Sequence, residues 1–129
     1  MKKYENFRKA LNNLNDIYGV EEPYSNITRS GCVNLFEICF ELSWKVMKEV
    51  LENHGYDEGK TGSPKMVLKT AYSAGLIDDE TIWIKALQAR NNVAHSYNEN
   101  IADSIISETK SDYVAMFEKL DKVLLEKWI

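Results

Sequence analysis

The run Arg90-Asn91-Asn92-Val93-Ala94-His95-Ser96-Tyr97 gathers an arginine, two asparagines, a histidine and a tyrosine at the end of a helical pattern that begins as an ordinary core element. On a helix Asn91 and His95 stand four apart and share a face, so the asparagine amide can reach an imidazole nitrogen and fix ring orientation and tautomer, as proton transfer requires. Arg90 and Tyr97 are seven apart on a neighbouring face, with small Ala94 leaving open space between them. Arg90 and His95 differ by five residues, and at about 100° per residue that turns one about 140° away from the other. One straight helix does not aim both at one small target. Either the helix breaks after Asn92, or two copies of the motif converge across a twofold axis. By spacing alone, the run also reads as a helix end whose arginine caps carbonyls and whose histidine fills a polar gap.

Other polar residues have a plainer reading. Glu37, Glu41, Lys45, Lys48 and Glu52 form a stripe on one helix face, which reads as a solvated surface stitched by a Glu41 to Lys45 pair. The alternative is that Glu37, Glu41 and Lys45 border a cleft or a subunit interface, since their helix is otherwise so apolar. His54, next to Gly55, reads as a C-terminal cap. Cys32 and Cys39 lie seven apart on one helix, about 10 Å along its axis, too far for a disulfide, and are expected to be buried thiols. With His54 and His95 the only histidines and no C-x2-C or H-x3-H spacing, neither a metal nor a cofactor is expected.

The elements that must position these residues are helices. Tyr4, Phe7, Leu11, Leu14 and Tyr18 mark a narrow apolar stripe over about Lys2 to Tyr18, suited to one seam. Ile101, Ile105, Tyr113, Phe117, Leu120 and Leu124 repeat the device from about Asn100 to Trp128. Between them, the segment from about Ile27 to His54 is apolar around far more than half its circumference. Such a helix is either central to the fold or shared between the core and a second subunit, and the small size of the chain favours the second. A loop over Gly55 to Gly62 precedes Ser63-Pro64, an N-cap followed by a first-turn proline that opens a short helix ending near Gly75. Asp78 and Asp79 start the helix that carries the Arg90 run. The expected fold is all-α: an up-and-down bundle of four long helices plus one short one, in a single domain over residues 1–129.

The chain is 28% charged and 44% hydrophobic, the balance of one compact domain. Sixteen Lys and Arg stand against 20 Asp and Glu, a net charge of −4, so no global basic field holds nucleic acid by counterion release, and any such contact must be local. No apolar run approaches a bilayer span, and the first residues lead into an amphipathic segment and not a signal-peptide core. A cytoplasmic protein without a membrane partner is expected.

The pattern Arg90-Asn91-x-x-x-His95-x-Tyr97 resembles the R-x4-H-x-Y signature of HEPN domains, the higher eukaryote and prokaryote nucleotide-binding family. The string Phe36-Glu37-x-x-x-Glu41-Leu42-x-Trp44-Lys45, the Ser63-Pro64 helix start, the Ala71 to Ile77 segment and Trp83 ahead of Arg90 extend the likeness over nearly the whole chain, to the branch called nucleotidyltransferase substrate-binding proteins. That resemblance implies a homodimer and a minimal nucleotidyltransferase partner on a separate chain, often paired as toxin and antitoxin. It further implies a metal-independent ribonuclease, with Arg90, Asn91 and His95 as catalytic residues and Tyr97 as acceptor of AMP from the partner. An imidazole can deprotonate a ribose 2′-hydroxyl or protonate the departing 5′-oxygen, while a guanidinium offsets phosphate charge. Two facing motifs in a dimer would answer the 140° objection. Two other readings are a non-catalytic subunit that presents a substrate or nucleotide to the nucleotidyltransferase, and a plain dimeric scaffold.

Overall fold

The computed structural model describes residues 2–56 and 62–129, and all regular structure among them is helical. Helix α1 spans Lys2–Leu14 and tightens into a 3-10 turn at Asn15–Gly19; α2 spans Asn26–Asn53, α3 Pro64–Ser73 and α4 Glu80–Ser96. Helices α5 (Glu99–Glu108) and α6 (Val114–Val123) are joined by a π turn at Thr109–Tyr113, and a second π turn at Leu124–Trp128 extends the same rod. The result is the expected all-α fold of four long helical rods and the short α3. Most of the loop expected over Gly55 to Gly62, residues 57–61, lies outside the described residues.

Side chains set the starts of the helices. Ser25 Oγ accepts from the Thr28 N–H at 3.1 Å, Ser63 Oγ from Met66 at 3.4 Å, Asp79 Oδ1 from Ile82 at 3.2 Å and Asn98 Oδ1 from Ile101 at 3.0 Å. Each satisfies a backbone donor that a helix end leaves open. Gly55 and Gly75 follow the ends of α2 and α3 with φ of +87° and +81°, a conformation that an L side chain rarely adopts.

Helix α2 is the axis of the molecule, packed by α1, α3, α4 and α5. Its central position consumes most of the apolar coverage that favoured a second subunit in the sequence. What α2 leaves open is narrower: Ile27 and Ile38 are exposed, and Leu35, Leu42 and Trp44 are partly covered. Phe36, fully buried, lies 6.2 Å from the Phe40 ring, 5.3 Å from Tyr113 and 6.5 Å from Phe117, while Trp83 of α4 meets Phe40 and Phe117 at 6.2 and 5.5 Å. These rings lock α4 to α2 beneath the candidate site. Burial of each such ring contributes about 2–3 kcal/mol. Cys32 and Cys39 are buried free thiols, both pushed above the ordinary thiol range by burial.

The π turn at Thr109–Tyr113 breaks the α-helical register of the last rod. Within it, Lys110 Nζ donates to the Val20 carbonyl at 2.6 Å and sits 5.6 Å from the centre of the Tyr24 ring, fixing the segment that leads into α2. His54 caps α2 as expected, its N–H bonded to the Val50 carbonyl at 3.0 Å. Its ring also packs 4.6 Å from Trp128 and ties the end of α2 to the end of the chain.

Candidate functional site

The Arg90 guanidinium is held between α4 and α2. Its Nη2 forms an ion pair with Glu41 Oε1, its Nη1 donates to Asn91 Oδ1 at 3.2 Å, and the other Glu41 oxygen accepts from Trp44 Nε1 at 3.1 Å. The two charged side chains are 30% and 29% exposed, while the paired Glu41 Oε1 is itself shut off from solvent. Glu37, one turn before Glu41, belongs to the same cluster: burial pushes its carboxyl above the usual range, the Arg90 charge opposes that, and Glu41 adds to it. Glu41 thus pairs across helices with Arg90, and no Glu41 to Lys45 bridge forms among the described residues. Of the three cleft candidates, Glu37 and Glu41 converge on Arg90. Lys45 stays exposed without a side-chain partner among the described residues.

Helix α4 continues unbroken through Ser96, which removes the alternative of a break after Asn92. Within one chain, Arg90 and His95 therefore stay about 140° apart around the axis. Asn91, Ala94, His95 and Ser96 are exposed. The Asn91 oxygen serves Arg90, and His95 makes no side-chain hydrogen bond among the described residues. The motif therefore presents an anchored cation on one side of a helix end and an open imidazole on another.

Tyr97 departs from its expected place. It is the C-cap of α4, with extended backbone (φ −68°, ψ 128°), so helical spacing no longer governs its direction. The ring is 48% exposed, outside the core, and its hydroxyl lies 3.5 Å from Ser30 Oγ near the start of α2. Ser30 and Glu41 are separated by about 16 Å along α2 at 1.5 Å per residue. The tyrosine hydroxyl is thus set apart from the guanidinium of Arg90, contrary to the neighbouring placement that the seven-residue spacing suggested.

The residue before Ser30 on α2 is Arg29, which the sequence did not single out. Arg29 Nε donates to Asp103 Oδ1 at 2.8 Å, Nη1 donates to Asn26 Oδ1 at 3.3 Å, and Glu99 stands 3.8 Å from Nη1. No local spacing relates Arg29 to Tyr97; only the packing of α5 on α2 brings them together. A separate cavity of about 470 Å³ opens at the other end of α4, lined in part by Leu76, Ile82, Trp83 and Met116, with the Asp78 to Lys119 ion pair (2.9 Å) at its edge.

Comparison with known proteins places this geometry in a lineage. The family described as nucleotidyltransferase substrate binding protein like matches residues 2–126. The chain belongs to this family. A Haemophilus influenzae protein named probable ribonuclease HepT is 28% identical over 99 residues, which cover 75% of this chain; the chain spans 60% of that relative's length. A crystal structure of a Thermus thermophilus protein superposes with a TM-score of 0.75 at 29% identity, covering 88% of this chain and 94% of that one. A Haemophilus influenzae protein, described as revealing the fold of a substrate binding domain of a nucleotidyltransferase, superposes with a TM-score of 0.68 at 21% identity over 97% of this chain and 96% of the other. The last likeness establishes the shared fold. No helix among the described residues is long and apolar enough to cross a membrane.

Proposed function

We propose that this substrate-binding family member is a metal-independent endoribonuclease that works as a homodimer and is silenced when a separate minimal nucleotidyltransferase adenylylates Tyr97. One observation carries the reading: a partly exposed guanidinium fixed by Glu41 and Asn91 shares a helix end with an open imidazole, in a chain related to a protein named probable ribonuclease. Arg90 supplies the charge-assisted contact to the phosphate. His95 removes the proton from the ribose 2′-hydroxyl, the 2′-oxygen attacks phosphorus, and the departing 5′-oxygen takes a proton from water. Arg90 and His95 face different ways on an unbroken helix, so one chain lacks a complete site and a twofold pair of motifs completes it.

The intact arginine and histidine favour this reading over a plain scaffold, which has no need of both. The family description and the 0.68 superposition support the second reading, a subunit that only presents a substrate or nucleotide. Incubation of the purified protein with bulk RNA in the presence of chelator separates them. Fragments ending in 2′,3′-cyclic phosphate are expected; intact RNA, with binding retained, would favour the presenting subunit.

A further inference from the structure

We propose that Arg29 holds the phosphate of the nucleotide carried by Tyr97, so that the start of α2, and not the Arg90 end of the cluster, seats the modified group. This rests on the reading of Tyr97 as the AMP acceptor. The Tyr97 hydroxyl lies 3.5 Å from Ser30 Oγ, and Arg29 is the next residue on α2. The hydrogen bond to Asp103 does most to hold the Arg29 guanidinium above its ordinary range. Arg90 stands elsewhere, since its partner Glu41 lies about 16 Å beyond Ser30 along α2.

Arg29 is built for such a role. Its side chain is 16% exposed, and the 2.8 Å bond from Nε to Asp103 fixes the plane of the guanidinium. A guanidinium carries five N–H donors, and the contacts to Asp103, Asn26 and Glu99 leave donors for a further acceptor. Glu99 is the partner most easily displaced, being 69% exposed and 3.8 Å away. Tyr97 also sits between the beginnings of two helices, α2 and α5, whose dipoles favour an anion. A phosphodiester replacing Glu99 on Nη1 keeps the Asp103 anchor and places its charge at this point. In the transfer step the Tyr97 oxygen attacks the α-phosphorus of ATP held by the nucleotidyltransferase. The new O–P bond forms as the bond to pyrophosphate breaks, pyrophosphate leaves, and the phenol proton passes to water.

The test follows AMP incorporation by intact-mass spectrometry and peptide mapping, using the full chain, its nucleotidyltransferase and ATP, with circular dichroism as a check on folding. Wild type should gain AMP on the Tyr97 peptide. Arg29→Ala should slow incorporation about ten- to hundredfold, the scale of one lost bond to a charged group; Arg29→Lys should recover part of the rate, and added guanidinium ion should partly rescue the alanine variant. Glu99→Gln, a surface change that removes the competing carboxylate, should be no slower than wild type. Incorporation at the wild-type rate in Arg29→Ala would overturn the role of Arg29 while leaving Tyr97 as acceptor. A Glu99→Gln variant slowed as much as Arg29→Ala would overturn it too, by showing that the cluster matters only as a tie between helices. Wild-type protein that gains no AMP on Tyr97 would remove both the acceptor and its phosphate seat.

Discussion

Arg90 owes its position to Glu41, a partner on another helix that no local pattern reveals. The residue types of the site were legible: Arg90, Asn91 and His95 could be selected by chemistry and spacing, and Glu37 and Glu41 by their place on an apolar helix. Their pairing was not, because it depends on how α4 lies across α2. His95→Ala should lower RNA cleavage by about 10²- to 10⁴-fold with folding intact because the imidazole is exposed, and Arg90→Ala comparably, with a lower melting temperature because Glu41 loses its partner. Gel assays paired with thermal melts check this, and full activity in either variant would contradict its catalytic assignment. Glu37 permits a pH prediction. Its folded-state pKa lies above the ordinary carboxylate value, so the unfolded chain releases the proton more readily. The contribution of Glu37 to stability is complete below its unfolded pKa and is lost as pH rises through the folded value. Glu37→Gln should therefore be more stable than wild type at neutral pH, and denaturant titrations from pH 7 to pH 4 should show that advantage shrinking.

Element boundaries were the most legible feature, because caps are local chemistry. Ser63 with Pro64, Asp79, and the glycines after α2 and α3 each satisfy or redirect the backbone within a turn, so α3 and α4 begin where the sequence says they begin. The π turns were not legible. Ile105, Tyr113, Phe117 and Leu120 keep their burial through Thr109–Tyr113, so the apolar stripe hides the extra residue that widens the turn. The end of α4 was missed for a related reason: seven-residue spacing carries Tyr97 onto the Arg90 side only if the helix continues, and it stops one residue earlier. At this scale the aromatic junction of α2, α4 and the last rod should dominate stability. Phe36 is fully buried and touches three other rings, so Phe36→Ala should cost about 3–5 kcal/mol. Chemical denaturation monitored by tryptophan fluorescence measures it, and a loss under about 1 kcal/mol would mean that the junction tolerates a cavity.

For the whole molecule the question is how one chain's divided motif becomes a site. Ile38 is 43% exposed on α2 and lies one turn from Glu41, the residue that fixes Arg90. If the proposed twofold contact runs through this face, it covers Ile38 and carries each Arg90 cluster toward the other chain's α4. Ile38→Asp should then yield monomer by light scattering and abolish cleavage without changing the helical circular dichroism. A complementation experiment tests the composite site more sharply. If Arg90 of one protomer acts with His95 of the other, Arg90→Ala and His95→Ala proteins are each inactive, yet a mixed dimer contains one intact pair and one doubly defective pair. With random exchange half the dimers are mixed and each has one working site of two, so about a quarter of wild-type activity should return. Co-refolding the two variants in equal amounts measures this recovery. If each chain worked alone, the mixture would stay as inactive as its components, and that result would return the 140° problem to a single helix that cannot solve it.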